Sequence, residues 1–178
     1  MGMDANLQSA LAKLNQGPVQ FMFDPDGDPV EVFMDGGLDL SIPAGLEEAP
    51  TDIVGVYNLY TNGDDHFELE IAVPESSLNV MLVLYPEGAT DGATYVGIGR
   101  AAGYSMRGAA VALRIRPWQT RTSAALQIEI WKLVPAGDGS IGWTKTEPHK
   151  FSRPFRSLPD LAQNDGLLHG KVTLPSRS

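Results

Sequence analysis

Apolar residues recur along this chain at two different periods. In Asp65–Val73, Phe67, Leu69, Ile71 and Val73 alternate with His66, Glu68, Glu70 and Ala72. That is the period of a half-buried β-strand, with one face in a core and the other toward water or a partner. Val111, Leu113 and Ile115 alternate with Ala112, Arg114 and Arg116 in the same way, within a strand predicted over Ala109–Arg116. Further strands are predicted at Val19–Phe23, Pro29–Phe33, Leu38–Ile42, Ile53–Thr61, Ala124–Val134, His149–Leu158 and Leu167–Leu174, bounded by clusters of Gly, Pro, Asn and Asp. Asn62-Gly63 between Ile53–Thr61 and Asp65–Val73 is a two-residue hairpin signal. The segment through Pro43, Gly45 and Pro50 reads as a polar loop, and Pro135–Trp143 as a glycine-rich turn.

The helical period occurs twice. Leu7, Leu11 and Leu14 follow a possible N-cap at Asp4, before Gly17-Pro18 stops the run. Leu78, Met81, Leu82 and Tyr85 predict a second short helix over Leu78–Tyr85, after Pro74-Glu75-Ser76-Ser77. Between that helix and the next strong strand lies a glycine-rich loop, Gly88–Gly108, with a short strand possible at Thr94–Ile98. The sum is eight to ten strands around one central helix. We therefore expect a mainly β fold: an antiparallel β-sandwich or partly open barrel with one flanking α-helix and a long loop. Residues 1–18 form an N-terminal helical arm and residues 19–178 a single β domain in this reading.

Composition narrows the chemistry. The chain has 178 residues, enough to bury a core without covalent staples. It contains no cysteine, which removes disulfides, thiolate zinc sites and thiol nucleophiles together. No apolar run approaches the ~20 residues of a membrane span, and the start Met1-Gly2-Met3-Asp4 is acidic where a secretory signal would be basic. The expectation is a protein made in the cytoplasm with no membrane anchor. The net charge of −9 argues against a nucleic-acid clamp. Its distribution is uneven: residues 1–99 carry seventeen carboxylates and one lysine, whereas residues 100–178 carry five carboxylates and twelve Lys or Arg. Either the halves neutralise each other inside one fold, which is the commoner case, or surfaces of opposite sign meet between copies.

Candidate catalytic and ligand motifs each fall short. Gly97-Ile98-Gly99-Arg100-Ala101-Ala102-Gly103 lacks the GxGxxG spacing, and no amphipathic helix follows to present its N-terminus to a phosphate. Asp24, Asp26 and Asp28 have the spacing that opens a calcium loop, but Pro29 stands where that loop needs glycine. Ser105, Asp160 and His169 have the chain order of a hydrolase triad without its strand-to-helix elbow. His66, His149 and His169 form no metal-binding pair, and Trp118, Trp131 and Trp143 are the candidates for a sugar platform. No cofactor or metal is expected, and the chain reads as non-enzymatic.

An ordered set of short motifs covers about three-quarters of the chain. They are Asp35-Gly36-Gly37, Tyr60-Thr61-Asn62-Gly63-Asp64, Phe67–Leu78, Gly103-Tyr104-Ser105-Met106-Arg107, Arg116-Pro117, Ile128-Glu129-Ile130-Trp131-Lys132, Phe155–Asp160 and Asp165–Val172. In this set the chain resembles the major tail tube proteins of long-tailed, siphovirus-type bacteriophages. The resemblance implies a virion structural protein without an active site, whose subunits form hexameric rings stacked head to tail as a hollow tail tube. Its partners would be other copies of itself, the tape measure and the terminator, with DNA only in transit and the tail of the virion as location. It places Glu68 and Glu70 toward the lumen. The long loop, with Gly97, Gly99 and Tyr104, would bind the neighbouring ring, and Arg100, Arg107, Arg114 and Arg116 would lie at contacts between subunits if the oppositely charged halves of the chain meet there. Alternatives are another phage ring or surface component (a tail terminator, baseplate tube or capsid decoration protein) or a soluble carbohydrate-binding β-sandwich.

Overall fold

The computed structural model describes residues 18–34, 38, 40–41, 46–50, 57–61, 66–73, 77–88, 90–92, 94–99, 104–118, 126–142, 150–163 and 168–173, with 46–50 and 57–61 described as backbone. Among the described residues there are eleven strands: β1 (Val19–Phe23), β2 (Val30–Met34), β3 (Leu40–Ser41), β4 (Leu46–Pro50), β5 (Tyr57–Thr61), β6 (Glu68–Val73), β7 (Val111–Pro117), β8 (Gln127–Pro135), β9 (Ser140–Gly142), β10 (Lys150–Ser157) and β11 (Gly170–Thr173). A helix, α1 (Leu78–Leu84), and a 3-10 turn at Met106–Ala109 complete the described elements. The architecture is mainly β, as the alternating pattern predicts.

Nine strands form one antiparallel sheet in the order β2-β1-β7-β8-β10-β6-β3, with β11 on β8 and β9 on β10. The sheet does not close into a barrel. The long strand β8 pairs with β7 along one edge and divides its other edge between β11 and β10. A register shift accompanies this division: Val111 lies opposite Leu133 but Leu113 lies opposite Ile130, so Trp131 and Lys132 face a single residue, Ala112. Such a bulge bends the strand and strengthens its twist. The sheet therefore curls, bringing β2 near β6, with α1 against β2.

The concave face is the core. Val19, Phe21, Phe23, Leu69, Ile71, Val73, Leu113, Ile115, Ile128, Ile130 and Phe155 are all buried there. Each apolar position of Phe67–Val73 and Val111–Ile115 lies in or against this core, as the alternation requires. A seven-residue helix has no stability of its own. α1 is held by the buried Val80 and Leu84 and by Arg153 of β10, whose Nη1 donates to the Leu84 carbonyl at 2.8 Å and pairs with Glu87 at 2.6 Å. The same guanidinium lies 5.0 Å from the centroid of the Tyr85 ring. The helix ends with Tyr85 as its C-cap, one residue inside the span predicted from the sequence.

Three expectations need correction. β5 and β6 are not paired with each other: β5 pairs with β4 in a separate two-stranded sheet, register Leu46 to Thr61 through Pro50 to Tyr57, and Asn62-Gly63 lies outside the described residues. β6 is taken along one edge by β10, and β3 covers Leu69 and Glu68 on the other. The segment read as a polar loop up to Pro50 therefore supplies strand β4. The turn Pro135–Trp143 likewise contains β9, which pairs with β10. Residues 1–17, with the predicted N-terminal helix, lie outside the described residues.

Candidate functional site

β6 positions the two carboxylates singled out in the sequence. Leu69 and Ile71 point into the core, so Glu68 and Glu70 project from the other face, and both are exposed. Strand rise sets them about 7 Å apart on one side of the sheet. With Ser41, Leu69, Ala136, Pro154 and Phe155 they line an open depression of about 360 Å³. The face is not uniformly acidic. Arg156 of β10 is exposed directly opposite Glu68, and His66 Nε2 lies 2.9 Å from Glu68 Oε1.

The basic residues predicted at contacts fall in two places. Arg114 and Arg116 project from β7 on the convex face, among a polar network that joins β7, β8 and β11. Arg114 Nε donates to Glu129 Oε1 at 3.0 Å, and its Nη2 lies 3.7 Å from Asp26. Arg116 Nε donates to Gln127 Oε1 at 3.2 Å, and Gln127 Nε2 donates to Glu129 Oε1 at 3.2 Å. Gln20 of β1 donates to Glu31 of β2 at 2.9 Å. Lys171 of β11 meets Glu129 Oε2 at 2.7 Å, an ion pair rather than a well-aligned hydrogen bond. Glu129 is only 8% exposed although it stands on the face away from the core. Burial pushes its pKa up, but Lys171 and Arg114 outweigh that and hold it below the ordinary 4.5.

The loop residues lie elsewhere. Gly97 is half-buried, Gly99 is exposed in the left-handed region at φ 94°, and Arg100 is outside the described residues. Gly88 allows the loop to fold back, because a Cβ there would meet the Gly97 carbonyl at 2.6 Å. An isolated bridge between Thr90 and Val96 stands where a short strand was expected, and Asp91 Oδ1 accepts from the Thr94 N–H at 2.8 Å. Tyr104 donates to the Pro86 carbonyl at 3.2 Å, and the exposed Arg107 to the Pro159 carbonyl at 3.0 Å. The loop nevertheless presents Tyr95, Ile98 and Tyr104 to solvent.

The catalytic candidates are not brought together. His169 Nδ1 bonds Ser157 Oγ at 2.9 Å rather than Ser105. Ser157 is buried and its Oγ also accepts the Phe67 N–H at 2.8 Å, a structural tie between β10 and the start of β6. Asp160 pairs with Lys132 at 2.7 Å and accepts from Gln163, and these contacts lower its pKa. Among the described residues no group of His, Asp and Glu could hold a metal ion. Asp24–Asp28 is the β1–β2 connection, with Asp24 at φ 51°. Trp118 packs edge-to-face on Phe33 while Trp131 lies under Lys171. They stand at opposite ends of the β7–β8 pair, about 20 Å apart along the strand, and so share no platform; Trp143 is outside the described residues.

Sequence reasoning missed the Arg153–Glu87 pair and the central place of Glu129. The former joins residues 66 apart in the chain, which no local spacing reports. For Glu129 the alternation with Ile128 and Ile130 was a usable signal, but its neighbours depend on strand order.

No protein-family model matches the chain, and no curated protein matches it in sequence. Among solved structures it is similar to a chain of the "anti-feeding prophage (AFP) baseplate, 6-fold symmetrised", a cryo-EM structure, with 11% identity and a TM-score of 0.41 over 78% of this chain and 85% of that one. At that level of likeness, the function has to be read from the chain's own residues.

Proposed function

We propose that this chain is a non-enzymatic virion structural protein, a tail tube subunit that assembles into hexameric rings stacked as the conduit for phage DNA. The observation that carries the reading is the arrangement of β6. Its apolar positions are buried in an open, curled antiparallel sheet, while Glu68 and Glu70 stand exposed together on the opposite face. This matches the layout that the sequence resemblance implies for a lumen-lining strand. Carboxylates on such a wall raise the local cost of phosphate and keep a passing duplex from adhering. Arg156, opposite Glu68, tempers that field. Exposed Tyr95, Ile98 and Tyr104 give the long loop the apolar character of a contact between subunits.

Negative-stain electron microscopy of the purified full chain tests this directly. Six-membered rings or tubes are expected. Trimers would instead favour a decoration protein, and a monomer at all concentrations would overturn the assembly reading.

A further inference from the structure

Pairing along one edge of β10 is interrupted. β8 ends with Pro135 opposite Phe155, and β9 resumes with Ser140 opposite Ser152. Residues 136–139 therefore loop out beside Arg153 and Pro154, where the Ala136 N–H donates to the Pro154 carbonyl at 2.9 Å. Tyr85, the C-cap of α1, sits in this gap. It is only 5% exposed, and a Cβ at Gly139 would lie 2.5 Å from its hydroxyl oxygen. Arg153 binds both sides of the gap with one side chain. Its Nε donates to the Gly137 carbonyl at 3.2 Å, on the loop-out. Its Nη1 donates to the Leu84 carbonyl at 2.8 Å and meets Glu87 at 2.6 Å, and the guanidinium lies 5.0 Å from the Tyr85 ring centroid.

α1 brings little stability of its own to this junction. Ser77 makes no side-chain capping bond, and the helix has no acidic residue in its first turn and no basic residue in its last. Val80 and Leu84 are its buried residues. The long loop leaves from the same place: the Gly88 N–H donates to the Tyr85 carbonyl at 2.8 Å, and the Tyr104 hydroxyl to the Pro86 carbonyl at 3.2 Å. We propose that Arg153 is a latch. It holds Tyr85 in the gap between β8 and β9. When it lets go, α1, residues 136–139 and the root of the long loop open as one unit while the rest of the sheet stays folded. The coupling comes from shared support. Lifting α1 removes the ring on which the loop-out packs, and moving the loop-out takes Gly139 from that ring and Gly137 from Arg153. Because Pro86 and Gly88 root the long loop, the state of the latch also sets where Tyr95 and Ile98 are presented. The latch does not depend on the chain forming a tube.

Native-state hydrogen exchange on the full chain tests this. It is read at Tyr85 and Gly88 in one segment, at Ala136 in the other and in β1 and β7 for reference, across urea from zero to about 1 M. The two segments should share one opening free energy, with a urea slope well below that of the reference strands. Different opening free energies for the two segments would refute the coupling. A slope equal to that of β1 and β7 would refute a separate opening, and either result overturns the proposal. Arg153→Met should speed exchange in both segments by the same factor, about a hundredfold. Gly139→Ala approaches the gap from the other side and leaves Arg153 in place. Its Cβ displaces the Tyr85 ring, so exchange at Tyr85 and Gly88 should rise about tenfold, the scale of overpacking in a close-packed site. Faster exchange confined to residues 136–139 in that variant, with α1 unchanged, would also overturn the latch.

Discussion

Replacing Glu129 tests whether the polar network on the convex face stabilises the fold. Its carboxylate accepts from Arg114 at 3.0 Å and Gln127 at 3.2 Å and pairs with Lys171 at 2.7 Å. Glu129→Ala removes all three contacts, but the partners left behind differ. The Lys171 side chain is 45% exposed and can return to water, whereas that of Arg114 is only 21% exposed and keeps Asp26 at 3.7 Å. Breaking a fully buried pair costs about 3–5 kcal/mol, so with one partner recovering its hydration the loss should be about 2–3 kcal/mol. Glu129→Gln preserves shape and some hydrogen bonding, so it should lose about 1–2 kcal/mol. For a chain of this size Glu129→Ala should lower Tm by roughly 4–12 °C. Urea unfolding followed by fluorescence gives the free energies, and a cycle with Arg114→Ala should show coupling of about 1 kcal/mol. The pH dependence is an independent check. Because the Glu129 pKa is lowered in the folded state, its contribution is complete above the ordinary carboxylate value and lost as pH falls through the folded value. The gap between wild type and Glu129→Ala should therefore close in acid. A gap below about 0.5 kcal/mol at neutral pH, or one that persists unchanged in acid, would refute the account.

Arg153→Met should cost roughly 2–4 kcal/mol, since it removes the guanidinium that binds both the Leu84 carbonyl and the Glu87 carboxylate; amide exchange in α1 should accelerate with it. Phe155→Ala, at a side chain 1% exposed in the middle of the core, should cost about 3–5 kcal/mol by chemical denaturation. Raising salt to 1 M, where the Debye length is ~3 Å, should leave ring or tube growth unchanged or faster in turbidity and microscopy; a marked slowing would show that opposite charges meet between subunits.

The elements legible in the sequence are those whose buried face is set by alternation alone. Phe67 to Val73 and Val111 to Ile115 sort correctly because a strand in a one-sided sheet has a period of two whatever its neighbours are. Pairing is another matter. Asn62-Gly63 is a sound local hairpin signal, but β6 finds its main partner in β10, with Phe155 opposite Leu69. A local turn preference is small beside the burial of those two side chains. The functional residues divide along the same line. Glu68 and Glu70 follow from the strand period, whereas the cluster around Glu129 exists only because β7, β8 and β11 lie side by side.

The charge split along the chain is resolved in part by the same strand order. β1 lies against β7 and β6 against β10, so each pairing sets a strand of the acidic half beside one of the basic half. Arg114 reaches Asp26 and Arg153 reaches Glu87 across that division, and Arg156 stands opposite Glu68. Arg114 and Arg116, which the charge split would set at subunit contacts, already have partners within the chain. Long-range attraction between copies would then have to come from the charges that remain outward, such as Arg107 and Lys150 on one side and Glu70 and Asp28 on the other. Single exposed pairs contribute only ~0–1 kcal/mol each. The apolar residues that the long loop presents, Tyr95 and Ile98 above all, offer more per contact when buried. An assembly held by them would tolerate salt, and this is why the salt series separates the two origins of cohesion.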